Sequence, residues 1–105
     1  MKVKEGKLVS DGLELNTLEV ALDHTTLLII EGYGGFVMCG ALDVEIYNSP
    51  KMIARGVICG KAIGVKTIEE LYQAELAEVC QYAKAIGWEP GIRVYEAFHI
   101  LSQKE

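Results

Sequence analysis

Apolar and polar residues alternate along the first third of the chain, whereas beyond residue 67 apolar residues recur at three- and four-residue spacing. Period two is the signature of strands, and a period near 3.6 that of helices. Lys7 to Ser10 leads into Asp11-Gly12, which suits a two-residue hairpin because both central positions of such a turn need positive φ. Leu13, Leu15 and Thr17 then alternate with Glu14 and Asn16. From Leu18 the phase slips: Leu18, Val20 and Leu22 alternate with Glu19, Ala21 and Asp23. A slip of one residue sends every following side chain to the opposite face, so a bulge near Thr17–Leu18 is expected to restore the register. Asp23-His24-Thr25 marks a turn. Leu27 to Ile30 and Phe36 to Cys39 are unbroken apolar runs, as in strands buried on both faces, with Gly32-Tyr33-Gly34-Gly35 turning the chain between them. These segments, about residues 7–40, predict an antiparallel meander of about four strands.

The remainder predicts mostly helices. Asp43 can cap a short one, and Ser49-Pro50 reads as an N-cap followed by Pro at the first helical position, with the helix running to Arg55 and stopping at Gly56. Val57 to Cys59 predicts a fifth strand, continued by Ala62 to Val65 after an irregularity at Gly60-Lys61. Thr67-Ile68-Glu69-Glu70 is a capping box whose helix reaches about Ala74. Leu76, Val79, Cys80 and Ala83 predict a further helix ending at Gly87, and Val94, Ala97, Phe98 and Leu101 a last one, with residues 102–105 frayed. The fold class is therefore α+β: one domain over 1–105, with the meander first, then a helix, a fifth strand and C-terminal helices packed on one face of the sheet. Each helix carries a single apolar stripe, yet the central strands are apolar on both faces. A second copy of the chain is the simplest cover for the face the helices leave free.

Composition strengthens that expectation. Half of the 105 residues are hydrophobic, more than a core of this size absorbs, so some belong at a subunit interface. A net charge of −5 argues against nucleic acid, whose affinity comes from cations neutralising phosphates, and against anionic membrane surfaces. Cys39, Cys59 and Cys80 are odd in number and lack CxxC spacing. They suggest neither a disulfide framework nor a zinc ribbon, and a reducing cytoplasm is the expected location. No signal-like run opens the chain, and Leu27–Ile30 is too short to span a bilayer.

Few residues point to chemistry. Cys39 ends a strand just before the helix start at Asp43, a setting that lowers a thiol pKa and suits a nucleophile. The plainer reading makes it a small core residue, as it does for Cys59 and Cys80. His24 and His99 lack HxH or HExxH spacing, so no metal site is expected. Gly32-Tyr33-Gly34-Gly35 is not a dinucleotide fingerprint, since Val37 stands where the last glycine belongs and a strand follows. Gly60-Lys61-Ala62-Ile63-Gly64-Val65-Lys66-Thr67 departs from a phosphate loop in its glycine spacing. Lys61, Lys66 and the helix start at Thr67 can still hold a small anion, and Arg93, a cation at the start of the last helix, can face a ligand or pair with Glu89 or Glu96.

Two motifs carry a resemblance. Gly35-Phe36-Val37-Met38-Cys39-Gly40-Ala41-Leu42-Asp43-Val44 and Gly56-Val57-Ile58-Cys59-Gly60-Lys61-Ala62-Ile63-Gly64-Val65-Lys66-Thr67-Ile68 resemble the signatures of the YunC-like proteins, a bacterial and archaeal family described as domain of unknown function 1805. The likeness runs from about Lys7 to Leu101, including Gly87, Gly91, Arg93, Glu96 and Ala97 in the helical tail. It implies an α+β domain whose N-terminal β-region mediates tetramerisation, and it implies no particular activity. Two function classes follow. One is a homo-oligomer, expected as a tetramer, that binds a small anionic ligand near subunit boundaries through Lys61, Lys66, Thr67 and Arg93. The other is a small enzyme using Cys39 with Lys61, Arg55 or His24. Neither requires a cofactor.

Overall fold

The structure is a computed structural model and describes residues 1–104. Six strands form a single sheet in chain order: β1 (Lys2–Ser10), β2 (Leu13–Ala21), β3 (Thr26–Gly32), β4 (Gly35–Met38), β5 (Ile58–Lys61) and β6 (Glu78–Val79). All neighbours are antiparallel except β4 and β5, which run parallel. A parallel neighbour requires a crossover. A 3-10 helix (Val44–Asn48) and α1 (Pro50–Ala54) supply it. The other helices are α2 (Ile68–Gln73), α3 (Gln81–Ala85) and α4 (Val94–Lys104). The α+β class and the opening meander are as the sequence predicts.

The turns follow from local chemistry. Asp11-Gly12 and Tyr33-Gly34 join their hairpins with φ of 51° and 81°, and of 52° and 88°. Positive φ at both central positions matches the twist of the flanking strands. Asp43 Oδ1 accepts from Glu45 N–H at 3.2 Å, and Ser49 Oγ accepts from Met52 N–H at 3.3 Å, so both expected caps form. Thr67 Oγ1 caps Glu70 N–H at 3.0 Å, while the Glu70 carboxylate accepts from Lys66 N–H at 2.7 Å, one residue before the usual capping-box partner.

Five expectations need correction. β1 begins at Lys2 rather than Lys7. No bulge interrupts β2: its pairing to β1 and to β3 holds one register from end to end. The phase slip at Thr17–Leu18 is real, and it moves the apolar side chains of β2 from one face to the other. The helix expected over residues 76–87 is instead strand β6 followed by the short α3, because Val79 and Glu78 pair with Gly60 and Lys61. Ala62 to Val65 does not extend β5. At the C-terminus α4 stays helical to Lys104, with Ser102 Oγ donating to His99 O at 2.8 Å. Glu105 lies outside the described residues.

The phase switch gives the sheet two different faces. Directly paired residues share a face. Leu13, Leu15, Leu28, Ile30 and Val37 form one face and are fully buried. α4 covers this side: a Cβ added at Gly35 would stand 2.6 Å from Leu101 Cδ1. Trp88 anchors α4 from the preceding loop, donating Nε1–H to Ala97 O at 2.9 Å and meeting Phe98 edge-on at 5.8 Å. The opposite face carries Val3, Leu18, Val20, Leu27 and Ile29 in paired rows. At its β4 end the 3-10 helix lies against it, Tyr47 meeting Phe36 edge-on at 5.9 Å. Over β1–β3 this face is uncovered: Val3 is exposed and the other four are only half-buried.

Candidate functional site

A polar cleft of about 400 Å³ opens beside β5 and β6, lined by Asp43, Glu45, Asn48, Lys61, Glu78 and Lys84 among others. Strand register places Lys61 directly opposite Glu78. Their side chains meet at 3.5 Å, and Lys61 Nζ also donates to Leu42 O at 3.3 Å. Lys61 is largely covered, with 20 % of its side chain exposed against 56 % for Glu78, so the lysine is the fixed member and the glutamate is free to swing away. The 3-10 helix forms the other wall. Asn48 Nδ2 donates to Glu45 Oε2 at 3.3 Å, and Asn48 Oδ1 accepts from Gln81 N–H at 2.7 Å, tying this wall to the start of α3. Three carboxylates and two ammonium groups in one cleft suit recognition of a small charged molecule, and no thiol or hydroxyl nucleophile lines it.

The remaining anion-binding candidates do not join Lys61. Thr67 caps the N-terminus of α2 and Lys66 precedes it, while Arg93 Nη1 donates to Gln73 O at the far end of the same helix, at 2.6 Å. The six residues of α2 separate the two by roughly 9 Å at 1.5 Å per residue. Arg93 N–H donates to Glu96 Oε1 at 3.0 Å, so the Glu96 partner expected for Arg93 meets its backbone instead of its guanidinium.

Cys39 is 8 % exposed and bonded to backbone on β3. Its Sγ accepts from Leu28 N–H at 3.4 Å and lies 3.9 Å from Thr26 O. Its own N–H donates to Leu28 O at 3.1 Å, which extends the β3–β4 ladder by one rung. No His or Arg side chain bonds to it among the described residues. His24 is exposed in its turn and His99 half-buried on α4.

A second depression, of about 510 Å³, lies on the uncovered sheet face between Glu5, Lys7, Asn16, Leu18, Ile29 and Glu31. It follows from the face switch in β2, which puts Leu18 beside the polar row of Asn16 and Glu31, themselves bonded at 2.6 Å.

One pair of functional groups is absent from the reading of the sequence. Cys59 and Cys80 meet at the β5–β6 edge, where Cys80 N–H donates to Cys59 O at 3.0 Å and Cys59 N–H donates to Cys80 Sγ at 3.4 Å. Cys80 is held well below the ordinary thiol value, at about 6, first by a hydrogen bond from the Cys59 thiol and then by backbone N–H groups of Cys59, Ala83 and Tyr82. Cys59 is pushed up by the same thiol contact and by burial. The two residues lie far apart in the sequence, and Cys80 fits a helical stripe, so no local signal marks the pair.

Comparison with known proteins gives a consistent picture. A family model described as "Domain of unknown function (DUF1805)" matches residues 38–101. The chain is similar to "Uncharacterized protein YunC" of Bacillus subtilis (strain 168), 34 % identical over 90 residues that make up 86 % of this chain and 88 % of that protein. It also resembles the crystal structure of a protein of unknown function, TA1206 from Thermoplasma acidophilum. That likeness has a TM-score of 0.81 at 27 % identity, covering 95 % of this chain and 93 % of that one.

Proposed function

The chain belongs to the family described as domain of unknown function DUF1805, and from that premise we propose that it works as a homotetramer holding a small anion in the Lys61 cleft of each subunit. The observation that carries the assembly is the unpaired outer edge of β1. This strand pairs only with β2, leaving a nine-residue edge open to another chain. Lysines at positions 2, 4 and 7 would ordinarily guard such an edge against pairing. In one antiparallel register, centred on Gly6, the strand answers its own charges. Glu5 then faces Lys7 of a second copy, Lys7 faces Glu5, and Val3 faces Val9. Val3 and Val9 are 56 % and 74 % exposed, and this register gives each an apolar partner. Pairs of this kind contribute roughly 0.2–1 kcal/mol each, and a two-fold axis repeats every one of them.

Such a dimer carries one continuous uncovered face, with Leu18, Val20, Leu27 and Ile29 from each chain. Two dimers stacked through that face, at the roughly 10 Å spacing of packed sheets, bury it and give a tetramer. The depression between Lys7, Leu18 and Glu31 then lies at a subunit boundary.

The Lys61 cleft sits at the opposite edge of the sheet, five strand spacings or on the order of 24 Å from β1, so assembly leaves it open. Once Glu78 turns outward, Lys61 and Lys84 are the cations that meet the anion, with the carboxylates of Asp43 and Glu45 kept to the opposite wall.

Sedimentation of charge-reversed variants tests the assembly. Glu5→Lys opposes two lysines in this register and should convert the tetramer to a smaller species, while Glu5→Lys with Lys7→Glu should restore it. A tetramer that persists in Glu5→Lys defeats the register, and a wild-type monomer at micromolar concentration defeats the assembly. Inorganic phosphate should raise the melting temperature saturably, and Lys61→Ala should remove that rise. No rise in the wild type defeats the anion site.

A further inference from the structure

Cys59 and Cys80 occupy one rung of the sheet. The β5–β6 register sets Gly60 opposite Val79, so Cys59 and Cys80 are the next pair along the ladder. One half of that rung is an ordinary backbone bond, from Cys80 N–H to Cys59 O at 3.0 Å. The return bond is unusual. The carbonyl of Cys80 has turned into α3, where it accepts from Lys84 N–H at 3.1 Å. Cys59 N–H donates instead to the sulfur of Cys80, at 3.4 Å. The Sγ of Cys80 thus stands where the strand carbonyl would, directly across from Cys59.

Residues exchanging backbone bonds across an antiparallel rung have Cα atoms about 5.5 Å apart. A disulfide needs roughly 4.4–6.8 Å. With one of the two rung bonds formed, the Cys59 and Cys80 backbones face each other at a spacing of that order, and both cysteines are free thiols.

From this geometry we infer that Cys59 and Cys80 form a reversible dithiol–disulfide site, oxidised by a small hydroperoxide, with Cys80 attacking and Cys59 resolving. Cys80 is the attacking sulfur because it accepts Cys59 N–H at 3.4 Å, which favours the thiolate, the nucleophilic form, once the proton it donates to Val57 O at 3.3 Å is released. The Cys80 thiolate attacks one peroxide oxygen. The O–O bond breaks, hydroxide leaves with the electron pair, and Cys80 becomes a sulfenic acid. The Cys59 thiol then attacks the Cys80 sulfur. The S–O bond breaks, and the departing hydroxide takes the Cys59 proton to leave as water. The first hydroxide takes up the proton released when Cys80 ionised, so two thiols have lost two electrons and two protons, and hydrogen peroxide has been reduced to two waters (an alkyl hydroperoxide to an alcohol and one water).

Both side chains are fully buried, so access depends on local opening. The elements over them are short: β6 has two residues and α3 has five. Elements with so few backbone bonds sit at the low-stability end of a fold, and a peroxide is scarcely larger than water. Cys39 faces Leu28 across the β3–β4 ladder, so no thiol stands opposite it.

Native protein treated with hydrogen peroxide, then denatured and titrated with a thiol reagent, provides the test. The three free thiols should fall to one. A peptide joining residues 59 and 80 should appear with a mass lower by two hydrogens, and dithiothreitol should restore all thiols. Cys39→Ser should keep the reaction. Cys59→Ser should stop it at a sulfenic acid on Cys80, trapped by dimedone. If the native protein retains all three thiols under peroxide that oxidises the denatured chain, or if Cys39 reacts first, the inference is overturned.

Discussion

Cys80 shows how much one residue's chemistry depends on where the chain turns. In a longer strand its carbonyl would complete the rung with Cys59, and its sulfur would be ordinary core. Because α3 starts at Gln81, the sulfur takes the carbonyl's place and inherits its hydrogen bond. Stability should follow. With a folded value near 6 against an ordinary 9, the unfolded chain binds the extra proton between those limits. Stability therefore rises with pH across that window, by up to about 1.4 kcal/mol per unit. The contribution is lost as pH falls through 6. Urea titrations under reducing conditions should reveal this slope in the wild type, and a flatter one in Cys80→Ser. Gly35 is a second decisive position. A methyl there would stand 2.6 Å from Leu101 Cδ1 and 3.1 Å from Ile58 Cγ2. Gly35→Ala should cost about 1–3 kcal/mol through overpacking, measured by the same titration.

Element by element, caps and turns were written locally and formed locally. Asp43, Ser49 and Thr67 all bond the backbone N–H groups that the sequence assigns to them. Thr67→Ala should therefore cost about 1 kcal/mol and little else, seen as a lower denaturation midpoint with an unchanged slope. The elements whose pattern misleads are those whose side chains satisfy two patterns at once. Leu76, Val79, Cys80 and Ala83 fit a helix, yet Val79 is buried by pairing with Gly60, an interaction that spans the whole of α2. In β2 the phase slip was visible in the sequence, but its consequence was not. A bulge would have kept one buried face. The straight strand instead offers Leu13 and Leu15 to the core, and Leu18 and Val20 to the far side.

For the whole molecule, that far side governs what the chain can build. A face carrying Val3, Leu18, Val20, Leu27 and Ile29 without a covering element is larger than scattered surface apolar residues explain. Leu18→Asp should leave the fold intact, because the side chain lies outside the core under α4, and should yield a species smaller than the proposed tetramer. Sedimentation with circular dichroism separates this result from unfolding, and a soluble Leu18→Asp tetramer would remove the face from the interface. The candidate site was only partly legible. Lys61 could be picked out as a cation beside a glycine, but Asn48, Glu78 and Lys84, which line the cleft with it, come from three separate segments. Lys66, Thr67 and Arg93 share a helix-terminal character that suggested one site, although α2 holds them at its two ends. No helix among the described residues is long and apolar enough to cross a membrane.

The amino-acid order alone determined the α+β class, the opening meander, the two tight turns and the helix caps. Each depends on residues within a few positions of one another, where steric limits on φ and single hydrogen bonds decide the outcome. Tertiary structure alone decided which face of β2 is covered, that Glu78 and Val79 form a strand, and that Cys59 meets Cys80. Those outcomes depend on which distant segments pair, and pairing is settled by the burial of the whole sheet rather than by any local preference.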